Sequence, residues 1–286
     1  MQTNLDAVTR PVSVFSPVGR EIIFGNSDRL AVIAGPCVVE SEPLLRTVAE
    51  RLLEIQSSLP VDFIFKSSYR KANRTSSTSF TGIGDEKALT LLAKIRADYD
   101  LPILSDVHDA LEIASASQVI DIIQIPAFLS RQTELLQAAG KTGKIVEVKK
   151  GQFMSAEDMR HAKAKIEETG NNRVILAERG TFFGYGDLVV DFRSLVHMRS
   201  FGCPVIYDAT HSIQRPSQNG VSGGDRRFLA PLARAAVAVG IDGLFLETHP
   251  NPAEALSDRD SQLPLDELES LLERLLAVRD SVTRTV

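Results

Sequence analysis

The sequence has few cysteines and no long apolar run. Its two cysteines, Cys37 and Cys203, lie far apart in a chain without a secretory signal, which argues against a disulfide framework and predicts a reducing compartment. We therefore expect a cytoplasmic protein. Charge or proline interrupts the hydrophobic stretches within about ten residues, well short of the length that crosses a bilayer. The sequence accordingly gives no support to a membrane role.

Signatures of nucleic-acid and nucleotide binding are also missing. The formal net charge is −5 and no basic stripe is interleaved with aromatic residues, so no attraction to nucleic acid is expected. The phosphate-loop pattern GxxxxGK[ST] does not occur, and Gly82-Ile-Gly84 is too short for a dinucleotide fingerprint. Neither ATP nor NAD is supported as a ligand.

What the chain does contain is a series of eight short apolar runs. They are near-continuous rather than alternating, which is typical of parallel strands covered on both faces. The runs are Ala31 to Ala34, Asp62 to Phe65, Pro102 to Leu104, Asp121 to Ile125, Lys144 to Val148, Arg173 to Ala177, Pro204 to Tyr207 and Gly243 to Leu246. Amphipathic helical stripes lie between them, such as Leu45, Val48, Ala49 and Leu52.

This alternation of strands and helices predicts an α/β fold, a (β/α)8 TIM barrel in a single domain that covers residues 1–286. An open doubly wound sheet would leave edges to be covered, so the closed barrel is favoured. The barrel is expected over about residues 30–282. Two short strands around Pro17-Val-Gly19 predict an N-terminal β-hairpin over about residues 12–24.

Reactive side chains are concentrated just after the predicted strands, where the loops of a TIM barrel build the active site. They are Cys37, Lys66, Lys71, Asp106, His108, Gln124, Lys149, Arg179, Asp208, His211, Glu247 and His249. Cys203 precedes the seventh strand, so we expect it to have a packing role at the opposite end. A free cysteine is often a small buried filler, so Cys37 has two interpretations here, filler and metal ligand.

A metal site is one hypothesis that these positions raise. Cys37, His211 and Glu247 follow strands one, seven and eight, and the first and last strands become neighbours when a barrel closes. Asp258 lies in a loop, residues 251–264, that is long enough to fold back over the barrel mouth. Thiolate, imidazole and carboxylate together suit zinc or ferrous iron better than magnesium. No short metal-binding motif supports the set.

Residues 65–76, FKSSYRKANRTS, predict an anion-binding loop because they combine four cationic residues with four serine or threonine residues. A solvated surface loop is the alternative. Cations near strand ends predict a local positive pocket for small anionic substrates: Lys66, Lys71, Arg74, Arg131, Lys149, Lys150 and Arg179. His211 precedes a Gly- and Ser-rich stretch, residues 217–224, which predicts a mobile lid.

The motifs together resemble the 3-deoxy-D-manno-octulosonate 8-phosphate synthase family over about residues 33–265. They are IAGPCVVES, FKSSYRKANRTS, LSDVHD, IQIPAFLSRQT, VEVKKGQF, AERGTFFGYGDL, YDATHS and FLETHPNPAEALSDRDSQLPL. That family condenses phosphoenolpyruvate with D-arabinose 5-phosphate and water, and it releases the eight-carbon sugar acid phosphate and inorganic phosphate. The product feeds the inner core of lipopolysaccharide. The resemblance therefore implies a transferase, 3-deoxy-8-phosphooctulonate synthase.

The resemblance also implies substrate contacts. Phosphoenolpyruvate would contact Lys66, Gln124, Ala127, Lys149 and Arg179, with Lys71 between the two substrates. Arabinose 5-phosphate would contact Asn73, Arg74 and Thr75, with Asp106 and His108 nearby. Serine is usual at the position of Thr75, and the retained hydroxyl implies a minor effect. Arg131 would reach into a neighbouring subunit's site, which implies an oligomer, a homotetramer.

The family divides at the position of Cys37, where members without a metal carry asparagine. Cys37, His211, Glu247 and Asp258 match the ligands of the metal-dependent subclass, which implies a divalent ion such as zinc, iron or manganese. Lys71 is a candidate acid toward the aldehyde oxygen, and His211 and Asp258 are candidates for activating the water. The identity of the metal and of the group that takes the water's proton stay open.

Two rival interpretations remain. The 3-deoxy-D-arabino-heptulosonate 7-phosphate synthase family shares the barrel, the GPC motif and phosphoenolpyruvate but uses erythrose 4-phosphate. That family carries a Lys-Pro-Arg-Thr-Ser version of the anion loop, so Ala72-Asn73 favours the longer sugar. A non-catalytic sugar-phosphate-binding barrel would retain the cations but release no phosphate.

Overall fold

A computed structural model describes residues 9–72, 79–182, 186–218 and 221–283. The strands in these ranges are β1 Val12–Phe15, β2 Glu21–Phe24, β3 Leu30–Gly35, β4 Val61–Lys66, β5 Ile103–Asp106, β6 Ile122–Ile125, β7 Ile145–Lys149, β8 Val174–Glu178, β9 Thr181–Phe182, β10 Leu188–Val189, β11 Val205–Asp208, β12 Gln214–Gln218, β13 Val221–Gly224, β14 Gly243–His249 and β15 Leu263–Pro264. The helices are α1 Glu42–Ser58, α2 Asp85–Tyr99, α3 Ile113–Ala116, α4 Thr133–Lys141, α5 Met159–Glu167, α6 Arg193–Arg199, α7 Leu229–Val239 and α8 Leu268–Thr283. Short 3₁₀ helices cover Ala127–Leu129, His211–Ile213, Arg226–Phe228, Pro252–Glu254 and Leu265–Glu267.

Eight strands form a closed parallel barrel with helices between them. Around the barrel the order is β3, β4, β5, β6, β7, β8, β11 and β14, and β14 pairs back with β3. Each barrel strand is followed by one of the eight helices before the next barrel strand or the end of the described chain. The predicted (β/α)8 barrel is therefore confirmed, and so is the N-terminal hairpin, in which β1 and β2 pair antiparallel.

The helices are held to the barrel by the apolar stripes that the spacing predicts. On α1, Leu45, Val48, Ala49 and Leu52 are all buried against the outer face of the strands. Ser41 caps this helix, because its hydroxyl accepts a hydrogen bond from the Leu44 amide at 3.4 Å. Each fully buried leucine of this kind contributes about 2 kcal/mol of transfer free energy. Burial on one side thus fixes which face of the helix meets the barrel.

A second core fills the inside of the barrel. It consists of inward-facing strand residues and hairpin residues that close the amino-terminal end, where Phe24 lies beside Gly243 at the start of β14. Its members are Val12, Val14, Ile22, Phe24, Ala31, Ile33, Ile64, Leu104, Ile122, Ile145, Ile175, Ala177, Ile206 and Phe245. The hairpin therefore plugs one end of the barrel, and the other end is left to polar side chains.

Two short ribbons decorate the carboxyl end of the barrel. β9 pairs with β10, and β12 pairs with β13, both antiparallel. The β12–β13 ribbon covers most of the stretch for which the sequence predicts a lid, so regular pairing exists there, and its mobility stays a prediction. None of the helices in the described ranges is long and apolar enough to cross a membrane.

Candidate active site

The candidate site is a set of polar side chains at the carboxyl ends of the barrel strands. Side chains alternate between the two faces of a strand, so the residue two positions after an inner-core residue also faces inward. Ile64, Leu104, Ile122, Ile145, Ile206 and Phe245 belong to the inner core. The residues that follow them by two positions are Lys66, Asp106, Gln124, Glu147, Asp208 and Glu247, all buried. The barrel thus carries a polar layer directly above its apolar floor.

Gly35 brings the start of the site close to its neighbouring strand. It ends β3 at φ +154°, and a Cβ at this position would lie 2.1 Å from the carbonyl oxygen of Lys66. Only glycine permits this approach without displacing the β4 backbone. The chain then turns through Pro36 to Cys37, whose side chain is fully buried.

Cys37 is in contact with the loop that follows β14. Its Sγ lies 3.1 Å from Ser257 Oγ and 3.4 Å from Asp258 Oδ2, and its amide donates to Gln262 Oε1 at 3.2 Å. Asp258 adopts φ +51°, and its carbonyl accepts from the amides of Ser261 and Gln262. The loop therefore folds back over the barrel mouth. Burial, with Asp258 and Glu247 adding to it, raises the pKa of the Cys37 thiol.

Glu247 joins the acidic and basic parts of the site. Its Oε1 lies 2.5 Å from Lys66 Nζ and 4.0 Å from Lys71 Nζ, and its Oε2 has no hydrogen-bond partner among the described residues. Burial opposes ionisation of this carboxyl, but Lys66, His211 and Lys71 outweigh burial and hold its pKa at about 2. Glu247 is therefore an anion with one oxygen still available.

His211 is oriented by Asp208. Asp208 Oδ2 lies 2.8 Å from the ring Nδ1, and Asp208 Oδ1 accepts from the His211 amide at 2.9 Å. In a neutral imidazole this arrangement places the proton on Nδ1 and leaves the Nε2 lone pair free. Nε2 lies 3.7 Å from both Glu247 Oε1 and Asp258 Oδ2. The Nε2 lone pair and the two carboxylates therefore face one another, as ligands of one cation would.

These residues form a donor set that fits a divalent metal ion. One ligand atom each from Cys37, Glu247 and Asp258 lies within 4.8 Å of the others, and the His211 ring faces the two carboxylates. Sulfur, imidazole and carboxylate donors match a borderline ion such as zinc or iron. The unpartnered Oε2 of Glu247 is the kind of buried acceptor that a cation would satisfy.

Three other predicted anion contacts lie across the barrel from Cys37. Lys149 Nζ contacts Asp208 Oδ2 and lies 3.1 Å from the centroid of the Phe245 ring. Arg179 Nη2 donates to Gln214 Oε1 at 3.1 Å, whereas Nη1 has no partner within the described ranges. Burial lowers the pKa of Arg179 from its ordinary value. Ala127, in the 3₁₀ turn after β6, is buried.

A second acidic and basic cluster lies after β5. His108 Nε2 lies 2.9 Å from Asp106 Oδ2, and His108 Nδ1 lies 3.2 Å from Glu112 Oε1. Burial disfavours the imidazolium, but the two carboxylates outweigh burial and raise the pKa of His108 to about 9. Lys71 Nζ donates to Ser68 Oγ at 2.8 Å. Burial opposes its charge too, yet the surrounding acidic groups raise the pKa of Lys71.

The remaining predicted residues lie apart from this cluster. Asn73, Arg74 and Thr75 fall outside the described residues. Arg131 is exposed after the Ala127–Leu129 turn, where its carbonyl accepts from Lys165 Nζ at 3.0 Å. Lys150 does not join the inward-facing cations, because its Nζ lies 3.4 Å from Glu178 Oε1 and 2.8 Å from Thr181 Oγ1. Cys203 is buried in the hydrophobic core between the helices and the strands.

Several site residues were not predicted from the sequence. Asp208 is among the residues that follow predicted strands, and its position three residues before His211 is the only sequence signal that it orients the ring. Ser257 and Gln262 touch Cys37 from more than two hundred residues away, and no sequence signal marks them. Glu147 lies inside an apolar run and faces the barrel interior, where it is fully buried.

The sequence is similar to known proteins along most of its length. Residues 7–284 match the model of the DAHP synthetase I family. The protein named 2-dehydro-3-deoxyphosphooctonate aldolase in Desulfotalea psychrophila is 52% identical over 276 residues, which is 96% of this chain and 99% of that protein. Proteins of the same name in Syntrophotalea carbinolica (90% of this chain, 94% of theirs) and Legionella pneumophila (87% and 91%) are also 52% identical. The chain is therefore an enzyme of the DAHP synthetase I family.

Proposed function

We propose that the chain condenses phosphoenolpyruvate with D-arabinose 5-phosphate and water to give 3-deoxy-D-manno-octulosonate 8-phosphate and inorganic phosphate. The observation that carries this proposal is that four buried cationic side chains lie at the same end of the barrel as the cluster of Cys37, Glu247 and Asp258. The four cations are Lys66, Lys71, Lys149 and Arg179. Two phosphorylated substrates, one also a carboxylate, require several fixed cations in a desolvated pocket. The name shared by the curated relatives supports the same product.

Phosphoenolpyruvate is proposed to bind on the side of Lys66, Gln124, Ala127, Lys149 and Arg179. Each lysine ammonium has three N–H donors, so Lys66 and Lys149 can keep their carboxylate partners and still donate to an anion. Arg179 contributes through the guanidinium nitrogen Nη1, which lacks a partner in the described part of the chain. The phosphate and carboxylate of the substrate would supply the acceptors that these donors lack.

Arabinose 5-phosphate is proposed to bind toward Lys71, Asp106 and His108, with Asn73, Arg74 and Thr75 completing its site. A protonated His108, held between Asp106 and Glu112, supplies a fixed positive charge beside the sugar phosphate. We further propose that Arg131, which is exposed on one subunit, reaches the site of a neighbour in a homotetramer.

We assign the chain to the metal-dependent subclass, with Cys37, His211, Glu247 and Asp258 holding a divalent cation. Such an ion would supply Lewis acidity and a fixed template for the aldehyde or a water molecule. Because burial raises the pKa of the Cys37 thiol, the thiolate requires a cation at this position to be stable. Chelation followed by restoration of zinc, iron or manganese tests this assignment, and full activity of the metal-free enzyme would refute it.

The chemistry of the chain's own residues follows from their charges. C3 of the enol phosphate attacks the aldehyde carbon, water adds to C2, and phosphate leaves by cleavage of the bond between C2 and its ester oxygen. Lys71, charged and anchored on Ser68, is placed to give a proton to the aldehyde oxygen. Asp258 is the proposed acceptor of the water's proton, because a carboxylate can bind a metal through one oxygen and take a proton on the other, whereas the single lone pair of His211 Nε2 is needed for the metal.

The alternative function is 3-deoxy-D-arabino-heptulosonate 7-phosphate synthesis, which uses erythrose 4-phosphate. The matching family model bears the name of that activity, so the experiment compares both sugars. Phosphate release is measured with phosphoenolpyruvate and each of the two aldose phosphates. We expect release with arabinose 5-phosphate, whereas release with erythrose 4-phosphate alone would establish the rival activity. Binding of both substrates without release would indicate a non-catalytic barrel. The cytoplasm is the location we propose, since a reducing compartment keeps the Cys37 thiol available.

A further inference from the structure

A row of three buried polar side chains crosses neighbouring strands of the barrel. Asp106 on β5, Gln124 on β6 and Glu147 on β7 are direct register partners. Register partners on parallel strands lie about 4.8 Å apart and point to the same face of the sheet. Their exposed fractions are 6%, 6% and 0%. All three therefore share one desolvated strip of the barrel interior.

This strip contains acceptors without donors. Within the described ranges, Asp106 Oδ1, Gln124 Oε1 and both carboxyl oxygens of Glu147 lack hydrogen-bond partners. The other oxygen of Asp106 is engaged by His108. A buried acceptor left unpaired costs stability, and two adjacent acceptors cannot satisfy each other without a hydrogen between them. One proton placed between two of these four oxygens would pair them.

Glu147 is the group best placed to carry that proton. Lys149 from β7 and Lys66 from β4 favour its anion, while Asp208 from β11 and Asp106 from β5 oppose it. Both lysines are already paired, Lys149 with Asp208 and Lys66 with Glu247. Burial is the largest influence and, opposed chiefly by Lys149, raises the pKa of Glu147 to about 7. The neutral acid is therefore populated at ordinary pH.

We propose that Glu147 is a positioning residue for Gln124. Its carboxylic O–H donates to Gln124 Oε1 on the adjacent strand and thereby fixes which end of the amide faces the substrate. With Oε1 so engaged, the amide NH₂ group is directed at the substrate anion, and an anion needs donors. The inference rests on the proposed function, in which Gln124 contacts phosphoenolpyruvate.

Ionisation of Glu147 reverses this arrangement. A carboxylate cannot donate to Oε1 and instead attracts the NH₂ group, which turns the amide oxygen toward the substrate anion. Affinity for phosphoenolpyruvate is then expected to fall as the pH rises through the pKa of Glu147. Titration of the substrate adds its own pH dependence, which a variant with a fixed neutral side chain removes by comparison.

The test is a matched pair of variants assayed by phosphate release from the metal-loaded enzyme. Glu147→Gln and Glu147→Met have similar length and shape, but only glutamine donates a hydrogen bond. We expect Glu147→Met to raise the KM for phosphoenolpyruvate about fivefold or more, the scale of one lost hydrogen bond, with a smaller change in kcat. Glu147→Gln should restore the wild-type KM. Asp62→Asn is the control, because it removes a carboxylate that pairs with Arg29 at the opposite end of the barrel interior. Any stability that this variant loses should leave the KM for phosphoenolpyruvate unchanged.

The pH profile gives the second readout. Between about pH 6 and pH 8 the KM of the wild-type enzyme should rise relative to that of Glu147→Gln. Equal KM values for the Gln and Met variants, or parallel pH profiles for wild type and Glu147→Gln, would overturn the inference and leave the proposed function intact. If Glu147→Met does not fold, the profiles decide alone. A wild-type enzyme that releases no phosphate would overturn both.

Discussion

Replacing Asp208 with asparagine tests whether one buried carboxylate supports both halves of the site. Its Oδ1 accepts from the amides of Thr210 and His211 at 3.1 and 2.9 Å. Its Oδ2 contacts the His211 ring and the Lys149 ammonium. Burial disfavours its charge, yet His211 and Lys149 outweigh burial and hold its pKa far below the usual range. All of its partners are donors, so the side chain must accept at both oxygens.

An asparagine cannot accept at both ends. If its NH₂ group faces the backbone amides, donor meets donor; if it faces the ring, the imidazole proton moves to Nε2 and the lone pair is lost. Either orientation also leaves Lys149 buried without its anion, which costs about 3–5 kcal/mol when a buried pair is broken. Loss of a carboxylate that orients a metal-binding histidine lowers metal affinity about 10- to 100-fold.

Two measurements follow, with Asp242→Asn as the matched control. Asp242 is a buried carboxylate before β14 that accepts from the Val205 amide at 2.8 Å and pairs with Arg199 at 3.3 Å, at the opposite end of β11. Urea unfolding should show a loss of stability for both variants. Zinc competition against a chromophoric chelator should show weakened binding for Asp208→Asn alone. Unchanged zinc affinity in Asp208→Asn, or an equal loss in both variants, would refute the reasoning.

Three further predictions concern single residues. The raised pKa of His108 adds about 3 kcal/mol of stability below pH 6.5 that is lost as the pH rises through about 9; urea unfolding of His108→Gln should lack this pH dependence. Gly35→Ala should cost about 4 kcal/mol or prevent folding, whereas Gly143→Ala, at φ +70° with open space, should cost about 1 kcal/mol in thermal unfolding. Lys66→Met should lower the free energy of unfolding by about 3–5 kcal/mol, because it leaves Glu247 buried without its cation. The loss measured by urea unfolding should be smaller at low pH, where Glu247 in the variant is protonated and no longer a buried charge.

The barrel could be predicted because parallel strands covered on both faces leave long apolar runs. Several predicted runs end one or two residues before the strands do. They stop at Phe65, Leu104, Val148 and Tyr207, whereas the strands continue to Lys66, Asp106, Lys149 and Asp208. A polar residue interrupts an apolar run, yet here it stays in the ladder and faces the barrel interior. The residues that make the sequence pattern end are thus the residues that form the site.

The contacts between these residues could not be predicted in the same way. The barrel order fixes which strand ends are neighbours, so the approach of Cys37 to Glu247 follows from topology. The approach of Ser257 and Gln262 depends on how a loop folds, and no spacing encodes it. The inward-facing position of Glu147 could not be predicted, because one acidic residue inside a run of valines and isoleucines does not change the strand pattern.

The structure also changes the expectation of a positive pocket. Lys66 is paired with Glu247 and Lys149 with Asp208, because an unpaired buried ammonium would cost several kcal/mol before any substrate arrives, on the order found for buried ions. Each of these carboxylates also faces His211, Glu247 at 3.7 Å and Asp208 at 2.8 Å. These two carboxylates therefore contact both the lysines proposed to bind phosphoenolpyruvate and a histidine proposed to bind the metal. If metal binding changes the affinity for phosphoenolpyruvate, phosphoenolpyruvate must change the affinity for the metal by the same factor. We accordingly expect Asp208→Asn to weaken binding of phosphoenolpyruvate as well as zinc, whereas Asp242→Asn, which touches neither side, should weaken neither.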